Sequence, residues 1–388
     1  MAENYTEKVD IAIIGAGIAG ASVAAELVAH ASVLLLEMET SPGYHTTGRS
    51  AAVFAETYGP APIRSLTRAS RGFFDNPPEG FSETPLLAPR GELLIARSDQ
   101  MDALERMIDA VGSESEVRRL SADQARERVP LLAKDYVAGA MYDPAARDID
   151  VQALHQGFLR AFRAGGGVIA TDREVLALER EGADWVITCR EARYRAEKVV
   201  NAAGAWADKV GALAGARTIG LVPKRRTALI VASPDGADPD RWPVTIDVDE
   251  QFYLKPDAGR LLISPADETP TEPCDAQAEE MDLAICVDRI ETAFDLQVKR
   301  IESKWAGLRS FVADKCPVVG YDQATSGFFW LAGQGGYGIQ SAPALARLAT
   351  ALALDRATPQ DILDQGLNPA DLAPERLDSV GQGSDGSS

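Results

Sequence analysis

Residues 9–37 read VDIAIIGAGIAGASVAAELVAHASVLLLE, and the order of apolar run, glycines and second apolar run decides the fold. Val9 to Ile14 has the near-continuous apolarity of a strand buried on both faces, and Val33 to Leu36 repeats it. Between them Gly15, Gly17 and Gly20 lead into a helix of small residues, IAGASVAAELVAHA. Gly15 permits the tight turn, Gly17 lets the backbone approach a pyrophosphate, and Gly20 lets helix and sheet close; Ala16 and Ile18 complete the same turn. A helix N-terminus there presents N–H groups and the positive end of a dipole to phosphate. Glu37, ending the second strand, is placed to accept hydrogen bonds from a ribose and to disfavour a 2′-phosphate. The pattern indicates a dinucleotide and leaves NAD and FAD both open.

Working outward, KVVNAAGAWADKVGAL (198–213) looks like a further strand of the same sheet, followed by a glycine turn and a helix. Asp150 reads as the N-cap of the helix VQALHQGFLRAFRAGG. Near the C-terminus, GFFWLAGQGGYGIQSAPALARLATALAL returns to strand, glycine turn and long helix, so the chain re-enters its first domain. Segments 89–97, 219–232 and 251–264 read instead as antiparallel strands, with PDAG (256–259) a hairpin turn. The expected class is therefore α/β (α+β overall). A Rossmann-like domain is assembled from 1–88, 145–216 and 308–375, and a second domain on an antiparallel sheet, 89–144 and 217–307, is inserted into it. Residues 376–388 are expected to form a disordered tail.

The chain of 388 residues is long enough for two such domains. Its 58 acidic against 39 basic residues, net −19, repel nucleic acid and anionic membranes. The four cysteines are scattered without CxxC spacing, so neither a zinc site nor a disulfide framework is expected. The start, MAENYTEKVD, lacks the basic residues of a secretory signal, and no stretch has the length of a membrane span. A cytoplasmic protein with no metal, no nucleic-acid partner and no transmembrane segment is the expectation.

The stretches PGYHTTGRSAAVF (42–54), VVNAAGAW (199–206), WAGLRSF (305–311) and GQGGYGIQ (333–340) resemble the D-amino-acid oxidase and glycine oxidase superfamily of flavoproteins. The nearest pattern is that of the bacterial D-arginine dehydrogenases, and FFDNPPEGF, PKRRTALI and FYLKPDAG extend the likeness over nearly the whole chain. The resemblance implies FAD rather than NAD. It places Thr46, Thr47, Arg49, Ser50, Ala51, Gly307, Gly336, Tyr337, Gly338, Ile339 and Gln340 against the cofactor, with Val175 on its adenine side. The position at which sarcosine oxidases attach flavin covalently falls near Arg309, short of Cys316, so the FAD is expected to be non-covalent.

Oxidising an amino acid requires its Cα–H to be held towards the flavin, and a planar guanidinium grips a carboxylate with two parallel hydrogen bonds. By resemblance Arg226 and Arg309 form that grip, Tyr58 and Tyr253 complete it, and the Gly336 carbonyl accepts from the substrate amine. Arg225 is the neighbour with which Arg226 is easily confused, since adjacent strand residues face opposite ways. Glu92 matches the carboxylate that meets the guanidinium of D-arginine. The pattern departs at Val53, where those enzymes have histidine, at Ala55, where they have threonine, and at Val244 and Ile246, so the lining that reads the side chain is more apolar. None of His30, His45 and His155 is assigned catalysis.

These residues suggest FAD-dependent oxidative deamination of D-amino acids, basic or broad in side chain, giving a 2-oxo acid and ammonia and passing electrons to an acceptor such as a quinone. Oxidation of secondary amines, N-alkyl amino acids or opines, is the enzymatic alternative. A non-catalytic FAD-binding scaffold is the alternative of another class.

Overall fold

A computed structural model describes residues 8–112 and 115–379. Strand Val9–Ile14 lies between Val33–Leu36 and Arg193–Asn201 and runs parallel to both. Alternation divides its side chains between two cores. Ile11 and Ile13 join the helices Ile18–Leu27, Val151–Ala164 and Gly338–Ala353 on one face, while Ala12 and Ile14 meet Leu34, Leu36 and Trp330 on the other. Burial on both faces is why the run is apolar at nearly every position.

Val168–Ala170 extends this sheet beyond Val33–Leu36. Strand Arg193–Asn201 is shared along its length. Its first half pairs antiparallel with Asp184–Cys189, and its last three residues pair in parallel with Phe328–Ala332, which brings the C-terminal region back to the first sheet. Helix Val151–Ala164 starts as expected, Asp150 accepting from the Ala153 N–H at 2.8 Å.

The second sheet has nine strands. Val222–Ala232 and Ile301–Phe311 form its longest pair, and Tyr253–Asp257 and Arg260–Ser264 form the expected hairpin, with Ala258 and Gly259 both at positive φ. Every pairing is antiparallel except that of Val244–Asp247 with Glu92–Ala96. The boundary expected between 307 and 308 falls inside the continuous strand Ile301–Phe311. The single strand expected over 89–97 is two strands in different sheets. Gly91, at φ +75°, turns the chain between Leu87–Pro89, which pairs with Arg147–Ile149, and Glu92–Ala96. Of the expected tail, 376–379 complete the 3-10 turn Pro374–Ser379, where Arg376 bonds Asp314, and 380–388 lie outside the described residues. Among the described residues no helix is long and apolar enough to cross a membrane.

The contact that closes helix Ile18–Leu27 onto its strand is tight. Gly15 sits at φ +99°, and a Cβ on Gly20 would lie 1.8 Å from the Gly15 carbonyl oxygen. Backbone stands in the way, so no side-chain rotation relieves it. Gly20→Ala is expected to cost on the order of 3 kcal/mol through forced displacement of the helix, to be read as a lowered unfolding midpoint; an unchanged midpoint would refute the contact.

Candidate active site

The pair Val222–Ala232 and Ile301–Phe311 faces the glycine turn across a cleft of about 450 Å³. From the first sheet its walls are Gly15, Gly17, Ile18 and Glu37, with Thr46, Thr47, Arg49, Ser50 and Ala51 beside them and Val175 behind Glu37. From the second sheet come Arg226, Tyr253, Gly307 and Arg309, and the turn before the last long helix adds Gly336, Gly338 and Ile339. Ala16, Gly20, Tyr337 and Gln340 are not wall residues. Ala16 accepts from His155 Nε2 at 2.9 Å, Gly20 makes the helix contact to Gly15, and Gln340 Oε1 accepts from the Ala55 N–H at 3.1 Å.

The turn spends some of its donors internally. Ala16 N–H donates to Glu37 Oε2 at 2.9 Å and Ile18 N–H to Thr47 Oγ1 at 3.0 Å, fewer free groups than the glycine spacing alone suggests. The other Glu37 oxygen accepts from the Glu39 N–H at 3.0 Å, and burial raises the carboxyl against those two hydrogen bonds. Thr46 and Arg49 serve partly as a joint. Thr46 Oγ1 donates to the Leu308 carbonyl at 2.7 Å, and Arg49 donates to the carbonyls of Ala276 and Ala306 at 3.0 Å and pairs with Asp275. His45 closes the wall nearby, bonded to Glu39 at 2.8 Å and packed on Trp206.

Strand register decides the arginines. Arg226 stands opposite Gly307 and Lys224 opposite Arg309, so alternation brings 224, 226, 307 and 309 to one face. Arg225 points the other way and is bound by Asp282 at 2.9 Å and by Glu279. Arg226 is 8% exposed. Its Nη2 lies 3.4 Å from Glu268 Oε1, while its Nε is buried with no acceptor. Burial and then the cation of Arg309 pull Arg226 below the ordinary guanidinium range. Burial also pulls on Arg309, but Tyr58, Tyr253 and Glu250 outweigh it and hold that cation. Arg309 Nη1 donates to Tyr58 Oη at 3.4 Å. Adjacent buried cations with a donor still unsatisfied are costly, so this end of the cleft can take a carboxylate or a like group.

Tyr58 is not a wall of the cleft but of a second cavity of about 460 Å³, together with Glu92, Ile246, Glu250 and Tyr337. The Tyr58 and Tyr337 rings meet edge to face at 5.0 Å. Glu92 is 4% exposed, and burial, then Asp143, then Glu250 push its carboxyl up to about 8. The other residues expected to read a side chain are not walls of either cavity: Val244 pairs with Glu92 along the strand, Val53 pairs with Asp148, and Ala55 is buried. Trp305, Ala228 and Glu250 were not singled out from the sequence. Trp305 was recoverable, since 305, 307 and 309 share a face at strand period; Glu250 sits on a turn at φ +53° with no such periodicity.

An extended slot with a glycine turn, a helix N-terminus and a buried acid along one wall fits a dinucleotide, with Glu37 and Val175 towards its nucleoside and the face of Ala228, Trp305 and Gly307 left for a planar ring. A Cβ on Gly307 would meet only the Arg49 Cβ, at 3.6 Å, so this face has room.

A family model described as FAD dependent oxidoreductase (DAO) matches residues 10–352. The chain is 24% identical to the glycine oxidase of Geobacillus kaustophilus over 382 residues, covering 96% of this chain and 97% of that enzyme. The crystal structure of glycine oxidase from that organism superposes with a TM-score of 0.83 over 96% of this chain and 99% of that one. L-proline dehydrogenase from P. horikoshii shares the fold with a TM-score of 0.80 at 19% identity, covering 96% of this chain and 99% of that one. L-2-hydroxyglutarate dehydrogenase of Escherichia coli (strain K12) is 28% identical over 221 residues, 53% of this chain and half the length of that relative.

Glu37→Ala removes an acceptor from Ala16 N–H and the acid of the cleft wall together. Loss of hydrogen bonds to a charged group costs about 1.5–3 kcal/mol, roughly a 10- to 150-fold weaker Kd for FAD. Fluorescence titration of the apoprotein with FAD reads this directly, and an unchanged Kd would remove Glu37 from the cofactor site.

Proposed function

The chain belongs to the DAO family of FAD-dependent oxidoreductases, and on that footing we propose that it oxidises the α-carbon of D-amino acids, with a basic or broad preference in the side chain. The observation that carries this reading is the pair Arg226 and Arg309 on one strand face of the cleft, with the Arg226 Nε buried and unpartnered. A substrate carboxylate supplies the missing acceptor. The names of the three relatives agree in one respect: glycine, L-proline and L-2-hydroxyglutarate each carry a carboxylate.

Bound FAD supplies the two-electron acceptor for the α-hydrogen. What this chain's residues do is positional. Arg226 and Arg309 fix the carboxylate, Tyr58 and Tyr253 add hydroxyls around it, and the Gly336 carbonyl accepts from the amine, so that Cα has one orientation relative to the ring face. A Cβ on Gly336 would stand 2.8 Å from Arg309 Nη1, and its absence lets that guanidinium pack against the Gly336 backbone. The neutral amine needs no separate base, and the imine hydrolyses in water to the 2-oxo acid and ammonia. The side chain then enters the second cavity, where Glu92 favours a cation.

Among the described residues no cysteine lines the cleft, which supports non-covalent FAD. The four thiols are free, which suits a reducing cytoplasm, and the electron acceptor is read as a quinone or similar molecule. A second reading, oxidation of a secondary amine, is kept by the likeness to L-proline dehydrogenase, whose named substrate is one.

Anaerobic mixing of the holoenzyme with D-, L- and N-alkyl amino acids separates these readings by loss of flavin absorbance. D-amino acids are expected to bleach it fastest; bleaching by none of the panel would overturn amine oxidation altogether. Arg309→Lys loses the two-pronged grip and leaves a buried partner unpaired, which costs about 2–5 kcal/mol, or roughly 30-fold or more in kcat/KM. Retained FAD with unchanged kcat/KM would make Arg309 a structural cation only.

A further inference from the structure

In the proposed oxidation of amino acids the second cavity takes the substrate side chain, and the cation subsite inferred for it rests on that reading. Glu92 and Asp143 stand directly opposite each other on the antiparallel strands Glu92–Ala96 and Gly139–Asp143 and are 4% and 2% exposed. Like charges so placed oppose each other, and two buried carboxyls in contact do not readily ionise together. Their surroundings treat them unequally. Asp143 Oδ2 accepts from Thr57 Oγ1 at 3.0 Å and Oδ1 from the Ala145 N–H at 2.8 Å, so both its oxygens act as acceptors. Among the described residues no donor reaches Glu92.

The remaining titratable groups around that cavity do not change the balance. They are Tyr58, Arg64, Arg106, Asp247, Glu250 and Tyr337. Arg64 donates to the Gly59 carbonyl at 3.0 Å, and Arg106, on the helix stripe of Ala103, Met107 and Ala110 at the cavity wall, is exposed to solvent. Asp247 is occupied by Gln100 Nε2 and by the N–H groups of Asp249 and Gln251. Arg71, which lies near Asp143, is bonded to Glu56 at 2.6 Å. Glu250 adds a further negative charge.

We propose that Asp143 determines specificity by making Glu92 a proton-exchanging cation subsite: without a cation Glu92 holds a proton opposite Asp143, and a cationic side chain displaces that proton to solvent. No covalent bond to carbon or flavin changes. Glu92 loses H⁺, the carboxylate formed pairs with the bound cation, and one proton leaves for each cation that enters. A neutral side chain enters beside protonated Glu92 and releases none. The cavity therefore accepts both classes, and pH decides between them. With the Glu92 carboxyl pushed up to about 8, affinity for a cation falls roughly tenfold per pH unit below that value and levels off above it.

The test uses the holoenzyme with D-arginine and D-norleucine, the ratio of their Kd values being taken from anaerobic rapid mixing between about pH 6 and about pH 9. Ionisation of the α-amine acts on both in the same direction, and the ratio removes most of it. The expected ratio favours D-arginine increasingly up to a break near pH 8. D143N is expected to move the break down by roughly a unit or more, and T57V, which withdraws a donor from Asp143 with little change of volume, to move it the same way. A ratio independent of pH, with D-norleucine still bleaching the flavin, overturns the subsite and leaves amine oxidation standing. Should no amino acid be oxidised, n-butylguanidinium added to lightly buffered holoenzyme with a pH indicator still decides: release of about one proton per site supports the exchange, and binding without release, or no binding, refutes it.

Discussion

In the antiparallel pair Val222–Ala232 and Ile301–Phe311, Arg226 lies opposite Gly307 and Lys224 opposite Arg309. A slip of one residue in the first of these strands would turn Arg225 towards the cleft and send Arg226 to the helix side, because strand side chains alternate. The register is held from behind. Arg225 is clasped by Asp282, Asp267 and Glu279, and Thr227 is bonded through its N–H and hydroxyl to Asp267. Acids on one face of the strand thus keep Arg226, on the other face, turned to the cleft.

The same strand pair is tied to the glycine turn by a few residues. Thr46 reaches the Leu308 carbonyl, Arg49 the carbonyls of Ala276 and Ala306, and Trp305 Nε1 donates back to the Arg49 carbonyl at 3.1 Å. Thr47 accepts from the first helical N–H. Segment 46–51 is therefore at once a wall of the cleft and the joint between the sheets, so distance between turn and arginines is set by bonds local to the site.

Charge is distributed along the two cavities in opposite senses. The guanidinium groups of Arg226 and Arg309 line the cleft, the carboxyls of Glu92, Asp247 and Glu250 line the second cavity, and Tyr58 stands between them with its hydroxyl on Arg309 and its ring on Tyr337. That polarity is a property of two strand pairs, far apart in the chain, brought into one sheet. It does not follow from the chain's net charge of −19, whose excess acids are mostly spent on the surface.

Local chemistry made the dinucleotide turn readable. Gly15, Gly17, Gly20 and Glu37 lie within one strand, turn, helix and strand, where hydrophobic period and φ preference act over a few residues. The Asp150 cap and the hairpin at Ala258 and Gly259 were legible for the same reason. The break at Gly91 was not, because an isolated glycine in an apolar run marks a bend only once two sheets compete for the flanking strands. The sequence by itself determined the dinucleotide-binding turn, the α/β class and the residue types able to hold a carboxylate. Tertiary structure alone decided that Arg225 turns to the acids behind its strand, which of the glycine-turn residues stand in the cleft wall, and that Glu92 faces Asp143, because these depend on the register of strands far apart in the chain, and pairing over such separations leaves no periodic trace in either segment.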